Sequence, residues 1–208
     1  MQSVFLETLL LVGIIAEAMS GGLLAGKRKM DFIGVIFIGV ITAIGGGSIR
    51  DVLFNHHPLL WIKHPEYIII LCAFALLAIT IPKMMAKLEK TFLILDAIGL
   101  VVFSITGTIV AVLDLKMGLI LGIVSGVITG VFGGILRDIL CNEIPLVFHK
   151  EIYVSVSILS SALFYALFVH FGLSLLIASI ITLIVGVTLR VLVIYFKLRF
   201  PNIDFDKH

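Results

Sequence analysis

Seven long apolar runs separated by short polar segments dominate this chain of 208 residues. A helix needs about 20 mostly apolar residues to cross the hydrocarbon core of a bilayer. Each run approaches that length, so we predict seven membrane-spanning helices. They cover approximately residues 4–25, 32–54, 66–82, 92–113, 117–140, 152–170 and 173–196. The sequence therefore predicts an all-α integral membrane protein with a short tail at residues 197–208.

The composition indicates lipid, not water, around most of these runs. Hydrophobic residues make up 61% of the chain and charged residues 13%, whereas soluble domains average about 45–50% apolar and roughly 25% charged residues. The first run is longer than the roughly 7–15 apolar residues of a secretory signal, so we expect it to be retained. Cys72 and Cys141 lie in or beside apolar runs and should act as small hydrophobic residues. We predict a single transmembrane domain over residues 1–208.

Lysine and arginine are unevenly distributed between the runs. With the N-terminus outside, the outer side receives Lys63 and Lys116. The inner side receives Lys27, Arg28, Lys29, Lys83, Lys87, Lys90, Lys150, Lys197, Arg199 and Lys207. Because cytoplasmic loops are enriched in these residues, we predict an external N-terminus and a cytoplasmic C-terminus. The basic residues occur in short clusters between apolar runs, so no nucleic-acid partner is expected.

A glycine-rich motif that ends in an Arg-Asp pair occurs in both the second and the fifth run. Residues 45–53 read GGGSIRDVL and residues 132–140 read FGGILRDIL. Around the motif, further positions match: Asn55 with Asn142, Pro58 with Pro145, Gly13 with Gly99, and Gly21 with Gly107. The similarity therefore covers two helices and a loop.

This similarity predicts a duplicated three-helix unit. Repeat one covers about residues 4–82, repeat two covers about residues 92–170, and the run at 173–196 is an additional helix. Three spans are an odd number, so the second copy enters the membrane in the opposite orientation. Inverted repeats are typical of membrane transport proteins, whose pathway lies near the interface between the repeats.

The glycines form two patterns. One is a row at every fourth position of the fifth run, which contains Gly118, Gly122, Gly126 and Gly130. Small residues let helices in lipid approach closely, so we predict that this row serves helix packing. The other pattern is the adjacent glycines at 45–47 and 133–134. We expect them to kink their spans and to free backbone groups that line a cavity, with close packing alone as the alternative.

The Arg-Asp pairs, Arg50-Asp51 and Arg137-Asp138, are predicted to lie toward opposite mouths of the membrane domain. Neighbouring residues on a helix point about 100° apart, so we expect no pairing within each dipeptide and a partner from another helix or a loop. The pairs would then gate or line a pathway. Alternatively, each arginine extends to the membrane surface and anchors a helix end.

Other polar residues also fall inside the apolar runs. We expect Glu17 to be functional, either as a cation site or as the partner of a basic residue. Asp96 and Arg190 are expected to be solvated near the inner surface. Hydroxyl groups such as those of Ser48, Thr106 and Thr129 can replace water around an ion, although they commonly bond the carbonyls of their own helix.

The sequence shows no catalytic constellation and no nucleotide-binding motif, so we predict that the protein is not an enzyme. His56, His57 and His64 share one loop. They lack further ligands at a recognised spacing, so neither a metal site nor a cofactor is predicted.

The doubled motif in a seven-span chain resembles the prokaryotic trimeric intracellular cation (TRIC) channels, a family also described as bacterial glycine transporters. The resemblance covers about residues 6–199. It implies a homotrimer in a prokaryotic inner membrane, surrounded by lipid, with a pore inside each subunit between the two repeats. The expected permeant is a monovalent cation, mainly potassium. Animal members bind a phosphoinositide through a basic motif early in the fifth span, whereas the matching residues 114–117 contain one lysine here.

The resemblance and the residues together give a list of candidates for the pore or its gate. The list is Gly45, Gly46, Gly47, Ser48, Arg50, Asp51, Gly133, Gly134, Arg137, Asp138, Glu17, Thr106 and Thr129. The leading hypothesis is a passive potassium-permeable channel lined by hydroxyls and carbonyls. The alternative is a carrier for glycine or another small zwitterion, in which an arginine binds the carboxylate and an acidic residue binds the ammonium. A purely structural membrane protein would have little need of paired polar residues in its spans.

Overall fold

In the computed structural model of this protein, residues 2–81, 87–149 and 152–196 are described, and their regular structure is helical. The helices are α1 (Gln2–Lys27), α2 (Phe32–Leu53), α3 (Leu60–Lys63), α4 (Glu66–Thr80), α5 (Leu88–Ile109), α6 (Leu119–Leu140), α7 (Leu146–His149), α8 (Ile152–Tyr165) and α9 (Leu175–Phe196). A π-helical turn extends α5 through Val110–Asp114, and another extends α8 through Ala166–His170. The end of the predicted third span, the tail at 197–208, and Lys83, Lys150, Lys197, Arg199 and Lys207 lie outside the described residues.

Within the described ranges, six helices are long and apolar enough to cross a membrane, and α4 is a shorter apolar helix. With 15 residues, α4 is about 22 Å long at 1.5 Å per residue, which is less than the roughly 30 Å of a bilayer core. Large apolar side chains such as Ile33 and Ile120 are exposed on the outside. Lipid is the solvent in which such a surface is favourable. The fold is therefore that of an all-helical membrane protein with six long apolar helices and one short one.

The helices pack as two groups of three. One group is α1, α2 and α4, and the other is α5, α6 and α8. The groups meet where α2 packs against α6 and where α1 packs against α5, while α9 packs against α5 and α8. Buried apolar side chains of both groups, including Leu71, Leu100 and Ile105, fill the space between the helices.

Helices α2 and α6 cross with their backbones in contact. A methyl group on Gly46 would collide with the backbone carbonyl oxygen of Thr129, and one on Gly133 would collide with that of Thr42. Gly133 follows Gly46 by 87 positions, and Thr129 follows Thr42 by the same number. The two contacts are therefore equivalent between the two halves of the chain, and glycine is required at both positions because no side chain fits.

The predicted kinks do not break these helices. Both α2 and α6 are continuous α-helices through residues 45–47 and 133–134, so their backbone groups are not released as we had expected. Gly46 and Gly133 form the crossing, Gly45 packs against the side chain of Leu136, and the side of Gly47 is open toward Arg50. The glycine clusters thus serve close approach of two unbroken helices.

The predicted packing row is tight over part of its length. A side chain on Gly126 would collide with Ser161, Thr108 and the carbonyl of Ser104, and one on Gly130 with Ser104 and the carbonyl of Leu100. Gly122 has room for ordinary van der Waals contact, and Gly118 has nothing within 4 Å. Packing inside the subunit therefore explains Gly126 and Gly130 but not Gly118, which precedes the first turn of α6.

Candidate functional site

A cavity of about 310 Å³ opens beside the C-terminal end of α2. We call it the Arg50 cavity. Apolar side chains such as Leu10, Ile14 and Phe103 form much of its wall. The polar and charged residues that line it are Glu7, Ser48, Arg50, Asp51, His56, Trp61, Lys63, His64, Tyr67, Thr106, Asp114 and Thr129. An apolar cavity with a few convergent polar groups is the usual form of a site for a small ligand or ion.

Arg50 is 6% exposed and is held by two helices. Its Nε donates to Asp51 Oδ1 at 2.8 Å, and its Nη1 donates to the hydroxyl of Thr129 at 3.3 Å. His56 Nδ1 lies 2.9 Å from the same Asp51 oxygen. Our prediction that Arg50 and Asp51 would not pair is therefore wrong, because the long arginine side chain bends back across the angle between neighbouring positions. The prediction of a partner on another helix holds for Thr129.

The hydroxyl groups at the cavity are bonded within the protein. Ser48 donates to the carbonyl of Ile44 at 2.8 Å and accepts from the indole of Trp61 at 3.1 Å. Thr106 donates to the carbonyl of Phe103 at 3.3 Å. Thr129 donates to the carbonyl of Ser125 at 2.7 Å while accepting from Arg50. Each hydroxyl oxygen keeps acceptor capacity and can therefore contribute a lone pair to the cavity.

The second Arg-Asp pair lies in a buried cluster near the C-terminal end of α6, which we call the Arg137 cluster. Arg137 is fully buried, and its Nε donates to Asp138 Oδ1 at 2.8 Å. Its Nη1 donates to Ser20 Oγ at 2.8 Å and to Asp96 Oδ1 at 2.9 Å, and lies 3.7 Å from Glu17 Oε2. The Arg137 guanidinium thus faces three carboxylates, and here too the pairing of neighbours contradicts our prediction.

Asp96 and Arg190 belong to this cluster and are not solvated, as we had expected them to be. Both are at most 1% exposed, and Arg190 Nη2 lies 4.0 Å from Asp96 Oδ2. The guanidinium of Arg190 lies over the ring of Tyr153 at 4.5 Å, and the Tyr153 hydroxyl donates to Asp96 at 3.2 Å. The prediction was wrong because the spacing of apolar residues along α9 does not show that the Arg190 side of this helix packs against α5 and α8. Of these residues, Tyr153 gave no sequence signal, since one tyrosine in an apolar run is usually a core residue.

The cluster lies at the end of the molecule that carries basic loops. Arg28, between α1 and α2, forms a 2.6 Å ion pair with Glu143 and donates to the carbonyl of Asn142 at 3.2 Å. Asn142 and Glu143 follow α6 directly, a few residues after Arg137. The Arg50 cavity lies at the other end of α2. The two Arg-Asp pairs therefore lie at opposite ends of the helix bundle.

The two ends differ in charge at positions that match in the sequence. With the offset that matches Gly13 to Gly99, Glu17 corresponds to Phe103 and Asp96 corresponds to Leu10. The packing is equivalent as well: Glu17 packs on Gly99, and Phe103 packs on Gly13. Phe103 and Leu10 line the Arg50 cavity. One end therefore has a cavity with apolar walls, whereas the other has two additional buried carboxylates.

The chain is similar to known membrane proteins. The sequence profile of the family described as "Glycine transporter" matches residues 7–83 and 93–170. The chain belongs to this family. The UPF0126 inner membrane protein YadS of Escherichia coli (strain K12) is 37% identical over 199 residues, which are 95% of this chain and 96% of the relative. A UPF0126 membrane protein of Deinococcus radiodurans is 36% identical over 77% of this chain and 75% of its own.

The solved structures that are similar to this protein are described as TRIC channels. The TRIC trimeric intracellular cation channel orthologue from Rhodobacter sphaeroides has a TM-score of 0.87 and 30% identity, covering 93% of this chain and 99% of that one. A prokaryotic TRIC channel crystallised in 0.5 M KCl has a TM-score of 0.84 and 29% identity, covering 95% and 100%. The chain is therefore a multi-pass membrane protein with the TRIC fold, in a family of channels and transporters and not of enzymes.

Proposed function

We propose that each subunit forms a passive pathway for monovalent cations, potassium foremost, between its two three-helix groups. The observation that carries the proposal is the Arg50 cavity, which runs from the end of α2 toward the α2–α6 crossing, with Arg50 and Thr129 in its wall. The description of the similar solved structures as TRIC cation channels supports the cation assignment.

The wall chemistry of the Arg50 cavity suits a weakly bound, mobile cation. The acceptor groups in the wall include the hydroxyls of Ser48, Thr106 and Thr129 and the carboxylates of Glu7 and Asp114. The charge of Arg50 itself is paired with Asp51 at 2.7 Å. Conduction requires binding that is strong enough for entry and weak enough for exit. Hydroxyl oxygens meet that requirement better than an open carboxylate cage would.

The Arg137 cluster closes the proposed pathway at its other end. Arg137, Glu17 and Asp96 are nearly or fully buried, and hydrogen bonds hold Arg137 between α1, α5 and α6. Opening would require Arg137 to leave Ser20 and Asp96. In the proposed orientation this gate lies on the cytoplasmic side, because the basic loop with Arg28 is at the same end.

Electrical recording tests the proposal directly. Purified wild-type protein in planar lipid bilayers should give unitary currents that are selective for potassium over chloride. Arg50→Gln should change the unitary conductance severalfold, because it removes a fixed charge from the pathway wall. Arg28→Gln, which removes a charge outside the cavity, is the matched control and should conduct like wild type. The absence of unitary currents from folded, monodisperse protein would reject the channel.

A specific observation also favours the transport of a small zwitterion such as glycine. Arg50, Glu7 and Asp114 all line the cavity, and a guanidinium and carboxylates are the groups that would bind the carboxylate and the ammonium of a zwitterion. The family description points the same way. Saturable uptake of labelled glycine into proteoliposomes, lost in Arg50→Gln and retained in Arg28→Gln, would favour this carrier over the channel.

We further propose that this protein forms a homotrimer, because the similar structure from Rhodobacter sphaeroides is described as a trimeric channel. The exposed apolar helix faces that include Ile33 and Ile120 would then be shared between lipid and neighbouring subunits. Gly118, which has open space beside it, would be free to approach either. Native mass spectrometry of the detergent-solubilised protein should give three times the mass of the chain, and a monomer mass alone would contradict the proposal.

A further inference from the structure

Five buried charged groups meet in the Arg137 cluster, and they do not balance. The carboxylates are those of Glu17, Asp96 and Asp138, and the guanidiniums are those of Arg137 and Arg190. All five residues are at most 3% exposed. If every group is ionised, the cluster carries one uncompensated negative charge. An uncompensated charge in a buried site is strongly unfavourable, so the site favours the addition of one positive charge.

The three carboxylates differ in the hydrogen bonds they accept, and this difference indicates which of them carries the surplus negative charge. Asp138 accepts from Arg137 at 2.8 Å and from the backbone N–H of Leu146 at 3.0 Å. Asp96 accepts from Arg137 at 2.9 Å and from Tyr153 at 3.2 Å. Glu17 lies 3.7 Å from Arg137, beyond hydrogen-bond distance. Among the residues that the structure describes, Glu17 Oε2 and Asp96 Oδ2 both lack a hydrogen-bond partner. Asp96 is held through its other oxygen, Oδ1, whereas no hydrogen bond from the described residues holds the Glu17 carboxyl group.

The surroundings of Glu17 favour a proton over a metal cation as the missing positive charge. The Glu17 side chain is 2% exposed and packs directly on Gly99, where even a methyl group would collide with it. A potassium ion needs several oxygen ligands and the space to hold them, whereas a proton on a carboxyl oxygen needs no additional space. Neutral Glu17 leaves two carboxylates and two guanidiniums in the cluster.

We propose that Glu17 is a proton-binding site that controls the charge at the closed end of the pathway. While Glu17 holds its proton, the cluster is neutral, because Asp96 and Asp138 balance Arg137 and Arg190. When the O–H bond breaks and the proton passes to water, the cluster becomes negative and attracts a cation to that mouth. The charged and titratable groups facing Glu17 are Asp96 on α5, Arg137 and Asp138 on α6, Tyr153 on α8 and Arg190 on α9.

This effect on conduction rests on the proposed cation pathway, whereas the proton site itself does not. The first measurement is therefore infrared spectroscopy of the reconstituted protein at neutral pH, which detects the C=O stretch of a protonated carboxyl group. Wild type should show the band, and Glu17→Gln should lose it. Glu66→Gln, the same substitution at an exposed position of α4 outside the Arg50 cavity, is the matched control and should retain it. A band that persists in Glu17→Gln, or that wild type lacks, overturns the site.

The second measurement is cation flux at different pH values on the side of the Arg137 cluster. Flux through wild type and Glu66→Gln should increase as pH rises, whereas flux through Glu17→Gln should stay at its low-pH value. If Glu17→Gln keeps the wild-type pH response, the proposed control is wrong. Glu17→Asp, which keeps a carboxyl group, should retain both the band and a pH response, and so provides a second variant if Glu17→Gln folds poorly. If wild type carries no cations at all, the channel fails, and the infrared band still decides the proton site.

Discussion

Gly46 of α2 lies directly against the backbone carbonyl of Thr129 of α6, with no room for a side chain between them. The equivalent contact joins Gly133 to Thr42. The hydroxyl of Thr129 also accepts from Arg50. The crossing of the two helices therefore fixes the position of Thr129 in the wall of the Arg50 cavity. It also sets the distance between the two halves of the chain.

Gly46→Ala should destabilise the protein. The new methyl group would overlap the Thr129 carbonyl, and overpacking typically costs about 1–3 kcal/mol, which exceeds the gain of up to about 1 kcal/mol in helix propensity. Thermal unfolding in detergent, followed by circular dichroism, should show a lower midpoint. Gly118→Ala is the control, because nothing lies within 4 Å of Gly118, and its midpoint should equal or exceed that of wild type. Equal midpoints for Gly46→Ala and wild type would contradict the proposed contact.

Arg190→Met should be strongly destabilising. It removes the guanidinium that lies 4.0 Å from the fully buried Asp96, and loss of one member of a buried ion pair costs about 3–5 kcal/mol. Unfolding by SDS should occur at a much lower detergent fraction. A second change, Asp96→Asn in the same protein, should recover part of the loss.

The matched control for Arg190→Met is Arg28→Met. Arg28 also forms an ion pair, with Glu143 at 2.6 Å, but both side chains are more than a third exposed. Exposed pairs contribute about 0–1 kcal/mol, so this variant should unfold close to wild type. Similar losses in both variants would show that burial of Arg190 does not matter.

Ser20→Ala should increase the fraction of time that the proposed channel is open. Ser20 accepts from Arg137 at 2.8 Å, and a hydrogen bond to a charged group contributes about 1.5–3 kcal/mol. If this bond exists in the closed state alone, its loss shifts the closed-open equilibrium about tenfold or more. Single-channel recording measures the shift, with Ser174→Ala, at an exposed loop position, as control. An open probability equal to that of wild type would show that Ser20 does not hold the gate.

Trp61 should report binding in the Arg50 cavity. It is the single tryptophan of the chain, it lines the cavity, and its indole donates to Ser48. A zwitterion bound at Arg50 should change its emission saturably when glycine is added, and Arg50→Gln should abolish that change. If potassium is the substrate and glycine is not, glycine should leave the emission unchanged at constant ionic strength.

The sequence predicted the helices well because apolar runs of this length have one stable arrangement in lipid. It also identified Arg50, Arg137 and Glu17, since ionisable residues in such runs are rare and need partners. The sequence did not predict the burial and pairing of side chains that depend on contacts between helices. Periodicity did not show that Arg190 and Asp96 would be buried together, and helix geometry did not show that each arginine would reach its own neighbour.

The glycine clusters show where local reasoning was insufficient. The third span, predicted at about residues 66–82, corresponds to the short apolar helix Glu66–Thr80. Adjacent glycines weaken a helix in isolation, so a kink was expected. At Gly46 and Gly133, α2 and α6 are instead continuous α-helices whose backbones are in contact.

The burial of Glu17 against Arg137 has a consequence for biosynthesis. The carboxylate lies on α1, which is made before α6, and its guanidinium neighbour is 120 positions later in the chain. A charged residue at the centre of a lone helix adds about 2.5–3.5 kcal/mol to the free energy of insertion. Helix α1 avoids this cost if it enters the bilayer with its carboxyl group neutral, or if it stays at the translocon until α6 brings Arg137. Because α1 is made before α6, assembly of the bundle is what provides Glu17 with a positively charged neighbour in lipid.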